Sequence, residues 1–147
     1  ERSGTNVNGT ITAFYTVLVD GDDMNEPIAD AVRGILDGHI VLDRNLANKG
    51  QYPAINVLKS VSRLMNHIAD PAHVTAASRL RELYYTYSKS EDLINIGAYK
   101  RGTSKDIDEA IHYEPLITAF LKQGYKDKVS LSQTVNELTT LSNGGAK

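Results

Sequence analysis

Tyr52 and Arg63 bound the segment YPAINVLKSVSR, which contains no acidic residue. A residue that precedes a proline avoids the helical region, so Pro53 holds Tyr52 extended, and a ring fixed in this way is a good platform for stacking a purine. The planar guanidinium of Arg63 suits a phosphate group. The residues alone also allow a simpler interpretation, in which Tyr52 packs at a turn and Arg63 is an ordinary surface residue.

The loop GDDMNEP is a second place where the residue types permit chemistry. Its carboxylates, with that of Asp20, suit a divalent cation, but they lack the spacing of a calcium-binding loop. A solvated turn is one alternative. A contact with a basic partner is another, because exposed acids steer and orient such contacts.

Other catalytic patterns are missing from the sequence. The histidines at positions 39, 67, 73 and 112 have no metal-ligand spacing, so we predict that they are solvent-exposed and that no metal site exists. Neither a G-x-x-x-x-G-K-[ST] phosphate loop nor a G-x-S-x-G motif occurs. The tyrosines at positions 84, 85 and 87 are predicted to pack between helices.

The first half of the chain alternates strand and helix. GTITAFYTVLV (9–19) predicts a buried strand, Pro27 opens a helix to about Leu36, and HIVL (39–42) predicts a second strand. This order is typical of a parallel α/β sheet. A short helix is predicted from Asp43 to Lys49, with Gly50 at its C-cap.

The second half predicts a bundle of helices. One runs from Pro71 to about Ile96, and a turn bracketed by Gly97 and Gly102 follows it. Three more are predicted over residues 103–111, 115–124 and 130–141, the first and the last opened by the capping boxes Thr103–Asp106 and Ser130–Gln133. We expect residues 1–65 to end an α/β domain, residues 66–141 to form a helical domain, and residues 142–147 to be a frayed tail.

The composition of the chain excludes several classes of protein. The chain has 147 residues, a net charge of -2 and no cysteine. Disulfides and thiolate metal sites are therefore excluded, and a reducing compartment fits. No apolar run approaches a membrane span, and the near-neutral charge argues against a nucleic-acid partner. Because the chain begins without methionine and leads into a strong strand, we expect it to be a piece of a longer protein.

Three runs carry a resemblance to a known family. GTITAFYTVLVDGDDMNEPIADAVRGILDGHIVL, YPAINVLKSVSRLMN and EDLINIGAYKRGT resemble the C-terminal third of the bacterial flagellar and type III secretion export ATPases. These ATPases are similar to the catalytic subunits of rotary ATP synthases. The resemblance extends from Glu1 to about Leu141 and implies the end of a RecA-like α/β nucleotide-binding core, followed by an all-α helical bundle.

The resemblance also implies roles for single residues. Tyr52 is expected to stack on adenine in its own subunit, and Tyr125, after Gln123-Gly124, to line the same pocket. Arg63 is expected to reach the nucleotide of the adjacent subunit in a homo-hexamer, as a trans arginine finger. The loop residues Asp22, Asp23, Asn25 and Glu26 are expected to contact a central stalk.

The family implies further partners and a location. The full-length protein is expected to use ATP and Mg²⁺, with neither bound by this chain alone. Central-stalk and stator-like export proteins are expected partners, and export chaperone–cargo complexes are expected to dock on the helical domain. The cytoplasmic face of the membrane, at the base of the export apparatus, is the expected location.

Two departures from the family pattern matter. The phosphate loop, the Walker-type aspartate and the catalytic glutamate belong to a part of the family that precedes Glu1, so we expect the chain alone to be inactive. The rotary motors carry acids in the turn between bundle helices, whereas this turn reads AYKRGTSKD, with Lys100 and Arg101. A stalk contact at this turn therefore cannot use the same charge pairing.

Two other functions remain open on the sequence. The helical part alone would serve as a module that binds export chaperones. The ATPase that energises flagellar protein export is the first interpretation of the parent, and an injectisome ATPase is an alternative, because the shared motifs separate the two systems poorly. A non-catalytic synthase subunit is disfavoured, because the export-type turn EDLINIGAYKRG does not accompany such a subunit.

Overall fold

The computed structural model describes residues 4–19 and 26–144. Contacts divide the chain into two compact units, residues 1–36 and residues 37–147. Asp22, Asp23 and Asn25, expected to meet a central stalk, lie outside the described residues. Within the described ranges, no helix is both long and apolar enough to cross a membrane.

The first unit opens with a short antiparallel hairpin. Strand β1 (Thr5–Asn6) pairs with β2 (Gly9–Thr10), and Thr5 lies opposite Thr10. The strand predicted over residues 9–19 is wrong beyond Thr10, because residues 11–19 form no regular structure and Phe14 is 91% exposed. A strand needs a hydrogen-bonded neighbour for its backbone, and no described strand of this unit lies beside residues 12–19.

Helix α1 (Pro27–Ile35) also lies in the first unit and begins at the predicted proline. The fixed φ of proline suits the first helical position, where no backbone N–H is needed. The sequence predicts an apolar face formed by Ile28, Ala31, Val32 and Ile35, but only Val32 among them is partly buried. Ala29 is buried, but Ile28 is 67% exposed and Ile35 is 81% exposed. The described residues of this unit therefore leave much of the apolar surface of α1 uncovered.

The second unit begins with a strand that pairs with another strand much later in the chain. Strand β3 (Gly38–His39) pairs with β4 (Val61–Ser62) in antiparallel register, and Leu42 bridges Ile55 in the same sense. The sequence predicted a strand over residues 39–42 in a parallel sheet. In the described residues the chain returns to β3 through residues 40–60, which include one five-residue helix, and the two strands pair in antiparallel register.

Two short helices belong to this region, one between β3 and β4 and one after β4. Helix α2 (Arg44–Asn48) follows the predicted bounds closely, and Asp43 caps it by accepting a hydrogen bond from Asn45 N at 3.0 Å. Helix α3 (Met65–Ile68) was not predicted. It falls where the sequence placed a boundary between two domains.

Three longer helices complete the second unit. Helix α4 (Pro71–Asn95) agrees with the prediction, and α6 (Leu131–Ser142) begins after Ser130, whose Oγ accepts from Gln133 N at 3.2 Å. Their core is formed by side chains from α4, α5 and α6, namely Ala76, Leu80, Leu83, Ile117 and Leu138. Burial of these apolar groups is the main force that holds the bundle together.

Helix α5 (Lys105–Leu121) corrects two predictions. Its cap is Ser104, whose Oγ accepts from Ile107 N at 3.4 Å, and not Thr103, whose hydroxyl donates to Lys100 O. The helix also continues through Pro115, where the sequence predicted a break. A proline removes one backbone hydrogen bond, but burial of Ile117, which is 0% exposed, favours an unbroken helix.

Candidate functional site

Tyr52 lies in an exposed loop that is joined to the end of α5. Its carbonyl oxygen accepts a hydrogen bond from Gln123 N at 2.8 Å, and the Tyr52–Pro53 peptide is cis. The Tyr52 side chain is 59% exposed. Two segments that are far apart in sequence, one with Tyr52 and one with Gln123-Gly124, are therefore brought together.

These segments line an open cleft of about 260 Å³. Its walls are formed by Gly50, Tyr52, Lys122, Gln123 and Gly124. Gly50 has a φ of 69°, in the left-handed region that favours glycine, and this conformation turns the chain from α2 into the Tyr52 loop. The cleft thus offers one aromatic ring and one lysine side chain, which suit a planar polar ligand.

Tyr125 follows the cleft and is almost fully exposed, at 93%. The turn that carries it is closed by Asp127, whose carboxylate accepts a hydrogen bond from Gly124 N at 2.7 Å. A Cβ atom on Gly124 would lie 2.9 Å from that carboxylate, so a side chain here would displace Asp127. Lys126 Nζ stands 5.5 Å from the centroid of the Tyr125 ring. Tyr125 is therefore near the cleft in sequence but is not one of its lining residues.

Arg63 stands directly after β4 and is exposed. Its backbone N–H donates to Asp37 O at 2.8 Å, which continues the antiparallel pairing of β3 with β4. That pairing requires glycine at position 38, because a Cβ there would meet Val61 O at 2.7 Å. The backbone of Arg63 is thus anchored on the strand opposite.

The segment before β4 is held by Asn56. Asn56 Oδ1 accepts hydrogen bonds from the backbone N–H groups of Leu58 and Lys59, both at 3.1 Å. Its backbone N–H donates to Val41 O at 2.8 Å, and Ser60 Oγ donates to Asn56 O at 2.7 Å. The turn that leads to Arg63 is therefore fixed by one amide side chain and by the continuation of β3.

Asp43 links this turn to α2. Its carboxylate accepts from Asn56 Nδ2 at 2.8 Å and from Lys59 Nζ at 3.3 Å, besides capping the helix. The hydrogen bond from Asn56 is the largest cause that lowers the pKa of Asp43 below its ordinary value; burial opposes it, and Asn45 and Lys59 add to it. The Asp43 side chain is 12% exposed, so these contacts are partly shielded from water.

Helix α4 contacts the same region through two charged side chains. Arg81 donates to the backbone carbonyl oxygens of Val57, Leu58 and Ser60. Glu91 accepts from Lys49 Nζ at 2.8 Å, and this hydrogen bond raises the pKa of Lys49. Both ends of the loop region between α2 and β4 are thereby connected to the helical bundle.

The remaining predicted residues lie elsewhere. Glu26, the only described member of the expected stalk contact, stands at the N-cap of α1, and its side chain makes no capping hydrogen bond. Lys100 and Arg101 are exposed in the turn between α4 and α5. In that turn the Asp108 carboxylate accepts from Gly102 N at 2.8 Å.

Tyrosines and histidines outside the cleft serve other roles. Tyr84 packs against the helical core, as predicted, and its burial raises its pKa, whereas Tyr85 is 53% exposed. His39 Nε2 lies 3.0 Å from Lys59 O. Over the described part of the chain, no group of three or more histidine or acidic side chains is arranged to hold a metal ion.

Sequence reasoning missed several residues that shape the site. Lys122 and Gly50 line the cleft, and Asn56 and Arg81 hold the turn before Arg63. The role of Asn56 could have been predicted, because asparagine favours turns in which its side chain binds backbone N–H groups. No sequence signal pointed to Arg81, because its partners are backbone carbonyl groups more than twenty residues away.

Comparison with known proteins gives two family matches in chain order. Residues 1–62 match the ATP synthase alpha/beta family, nucleotide-binding domain. Residues 69–140 match the T3SS EscN ATPase C-terminal domain. The chain is homologous to the flagellar and type III secretion ATPases, and the matches cover most of its length. The fold class predicted from the sequence, the end of a nucleotide-binding core followed by a helical domain, is thereby confirmed.

Individual flagellar and type III secretion ATPases are similar in sequence to this chain over most of its length. The Flagellum-specific ATP synthase of Bacillus subtilis is 66% identical over 96% of this chain, which spans 32% of that relative. The SPI-2 type 3 secretion system ATPase of Salmonella typhimurium is 53% identical over 88% of the chain and 30% of its own length. This chain thus covers about a third of these members.

A solved structure of this ATPase family matches the fold. It is the assembled ATPase EscN in complex with its central stalk EscO, from the type III secretion system of enteropathogenic E. coli. The TM-score is 0.85 at 41% identity, over 96% of this chain and 33% of that chain. Arg63 lies one residue beyond the family match that ends at residue 62.

Proposed function

We propose that this chain is the C-terminal third of an ATPase that energises flagellar protein export. The observation that carries the proposal is the cleft in which Tyr52 meets Gln123-Gly124, close in the chain to a firmly held backbone that presents Arg63. The 66% identity to a flagellum-specific relative supports the flagellar system over the injectisome. An injectisome ATPase is the alternative.

In this proposal Tyr52 binds the adenine of ATP within its own subunit. The ring is accessible on the cleft, and its backbone is tied to the opposite wall by the hydrogen bond from Gln123 N. An exposed aromatic ring on a tied backbone offers an open face on which a purine can stack. Lys122 and Tyr125, on the same segment as Gln123, would contact the outer edge of the base.

Arg63 acts in trans on the ATP of a neighbouring subunit. Its guanidinium carries a fixed positive charge and five N–H donors in one plane, which fit the oxygens of a phosphate in transfer. The anchoring of its backbone on Asp37 and β3 fixes the point from which the Arg63 side chain extends. Arginine fingers in general accelerate phosphoryl transfer by about 10³-fold or more.

ATP and Mg²⁺ fit this chain only in part. The exposed ring of Tyr52 suits the base, and Arg63 suits the phosphates, but the described residues contain no cluster of metal ligands. The sequence also has no phosphate loop. We therefore propose that residues outside this chain hold the metal ion, and that the 147-residue chain alone has no ATPase activity.

The proposed assembly is a homo-hexamer at the cytoplasmic base of the export apparatus. EscN, which this chain resembles, has been solved with a central stalk, and a stalk contact through Asp22, Asp23, Asn25 and Glu26 is proposed by analogy. The helical domain would receive chaperone–cargo complexes and stator-like export proteins. We place the domain boundary at residues 65 and 66, between the two family matches, with a tail from residue 142.

The test is Arg63→Ala in the full-length ATPase, with turnover and nucleotide binding measured separately. Turnover should fall by about 10³-fold because the developing phosphate charge loses its partner. Binding of a fluorescent ATP analogue should change by less than about threefold, since the base contact is intact. Arg63→Lys is the matched control, and it should recover only a minor part of the rate because an ammonium lacks the planar fork. Normal turnover in Arg63→Ala would overturn the proposal.

A further inference from the structure

Arg81 makes an unusual set of contacts for a surface arginine on a helix. It lies on α4 and is exposed, yet it donates hydrogen bonds to three backbone carbonyl groups of one turn. Nη1 binds the carbonyl oxygens of Val57 and Ser60, the latter at 3.1 Å, and Nη2 binds that of Leu58 at 3.2 Å. None of the three is a side-chain partner, so the contact depends on the path of the backbone.

The geometry of the turn explains why a guanidinium is needed. Asn56 Oδ1 draws the N–H groups of Leu58 and Lys59 to one side of the turn. The carbonyl groups of Val57, Leu58 and Ser60 converge on Arg81. A positive charge with several N–H donors in one plane satisfies converging carbonyls, and hydrogen bonds with a charged donor are stronger than neutral ones.

The turn is continuous with the backbone of Arg63. Ser60 accepts from Arg81 through its carbonyl oxygen and from Val41 N through its Oγ at 3.0 Å. Val61 and Ser62 then form β4, and Arg63 follows at once. Only two extended residues separate Ser60 from Arg63, and Ser60, β4 and Arg63 are all bonded to the same strand segment, so the turn and Arg63 form one connected unit.

We propose that Arg81 is a positioning residue that sets the placement of Arg63 from helix α4. This proposal rests on the proposed function, in which Arg63 acts on a phosphate group. Arg81 itself touches neither nucleotide nor reacting atoms. It holds the turn before β4 against the bundle, so the position of the helical domain is communicated to the catalytic side chain.

Misplacement of a reacting group by about 1 Å can reduce a rate by about 10²-fold. In the full-length ATPase, Arg81→Ala should therefore lower kcat by roughly 10- to 100-fold with less than about a twofold change in KM for ATP, because the base contact is separate. Arg81→Lys should give an intermediate kcat, since one ammonium cannot satisfy all three carbonyls. Unchanged kcat in Arg81→Ala would overturn the inference.

Arg79→Ala is the matched control on the same helix. Arg79 pairs with Glu82 and Glu109, and neither of these partners belongs to the turn before β4. If lost helix stability were the cause, Arg79→Ala would lower kcat as much as Arg81→Ala, and that result would contradict the positioning role. Hydrogen–deuterium exchange gives a second readout. The amides of residues 58–63 should exchange faster in Arg81→Ala and unchanged in Arg79→Ala.

The double variant Arg63→Ala/Arg81→Ala separates the role of Arg81 from that of Arg63. If Arg81 acts through Arg63, the double variant should have the same turnover as Arg63→Ala, to within about twofold. A further loss of about 10-fold would show an independent role and overturn the inference.

The single variants distinguish failure of the inference from failure of the proposed function. Should Arg63→Ala itself keep normal turnover, the proposed function fails. A large loss in Arg63→Ala with none in Arg81→Ala removes only the inference. Arg81→Gln replaces Arg81→Ala if that variant does not fold.

Discussion

The loop that carries Tyr52 and the turn that leads to Arg63 lie a few residues apart, yet they are held in different ways. Tyr52 is joined to the opposite wall of its cleft by one backbone hydrogen bond, from Gln123 N, and its ring is 59% exposed. The turn before Arg63 is fixed by Asp43, Asn56 and Arg81 together. The Tyr52 loop is held by backbone hydrogen bonds, including those that join Gln51 to Leu46 and Ala54 to Asp43, whereas the turn before Arg63 is also held by three side chains.

This difference matches the two kinds of chemistry proposed. An aromatic ring that stacks on a base tolerates small displacements, because the contact is broad and weakly directional. An arginine that stabilises charge in phosphoryl transfer must be placed accurately, because its effect depends on the positions of a few atoms. Tight anchoring is found where accuracy is required.

The largest expected effect on the Tyr52 side of this comparison comes from Tyr52→Ala. Loss of base stacking should raise KM for ATP by roughly 5- to 150-fold, which corresponds to about 1–3 kcal/mol. Tyr52→Phe keeps the ring and should leave KM within about twofold of the wild type. Both are measured by steady-state hydrolysis in the full-length ATPase. A decrease confined to kcat would contradict a role in binding the base.

A smaller effect is expected from Asp43 on the Arg63 side. Its pKa is lowered in the folded state, so its stabilising contribution is present above its unfolded pKa of about 3.8 and is lost as pH falls through the lower folded value. At pH 7, Asp43→Ala should destabilise the 147-residue chain by about 1–2 kcal/mol, mainly through loss of the helix cap and of the bond from Asn56.

Urea unfolding between pH 7 and pH 3 measures this contribution. Asp43→Asn is the matched control, because it keeps the shape of the side chain and cannot titrate. The difference in unfolding free energy between wild type and Asp43→Asn should stay constant from pH 7 to about pH 5 and shrink toward pH 3. A difference that grows on acidification would show that the pKa of Asp43 is not lowered by folding.

The smallest effect is expected from Tyr125. Its ring is 93% exposed and does not line the cleft, so stacking on a bound base would involve only its edge. Tyr125→Ala should raise KM for ATP by about two- to fivefold, or roughly 0.5–1 kcal/mol. Lys126→Ala is a control for the neighbouring charge. An increase in KM for Tyr125→Ala as large as that for Tyr52→Ala would contradict the smaller role assigned to Tyr125 in binding the base.

The helices of the second unit could be predicted because their signals are local. Pro71 opens α4, and Ser130 caps α6, as expected. The break predicted at Pro115 was wrong because a proline forfeits one hydrogen bond, while tertiary packing of Ile117 and its neighbours favours a continuous helix. Local sequence signals therefore failed to predict the helix where buried contacts favoured a different structure.

The strand expected over residues 9–19 failed for the opposite reason. Its composition favours a strand, but a strand depends on partners that are distant in the chain, and the described residues of the first unit supply none beyond Thr10. The same limit applies to the site. Tyr52 and Arg63 could be named from their types and a resemblance, whereas Arg81 contacts backbone atoms and leaves no pattern in the sequence.

A mixing experiment tests most directly whether Arg63 serves the nucleotide of a neighbouring subunit. Full-length subunits with Arg63→Ala are assembled with subunits whose phosphate loop is disabled, each inactive on its own. Action in trans predicts that turnover returns in the mixture, because an intact nucleotide site on the first subunit then meets an intact Arg63 on the second. If the mixture stays as inactive as its parts while both subunits co-assemble, Arg63 does not act across the interface.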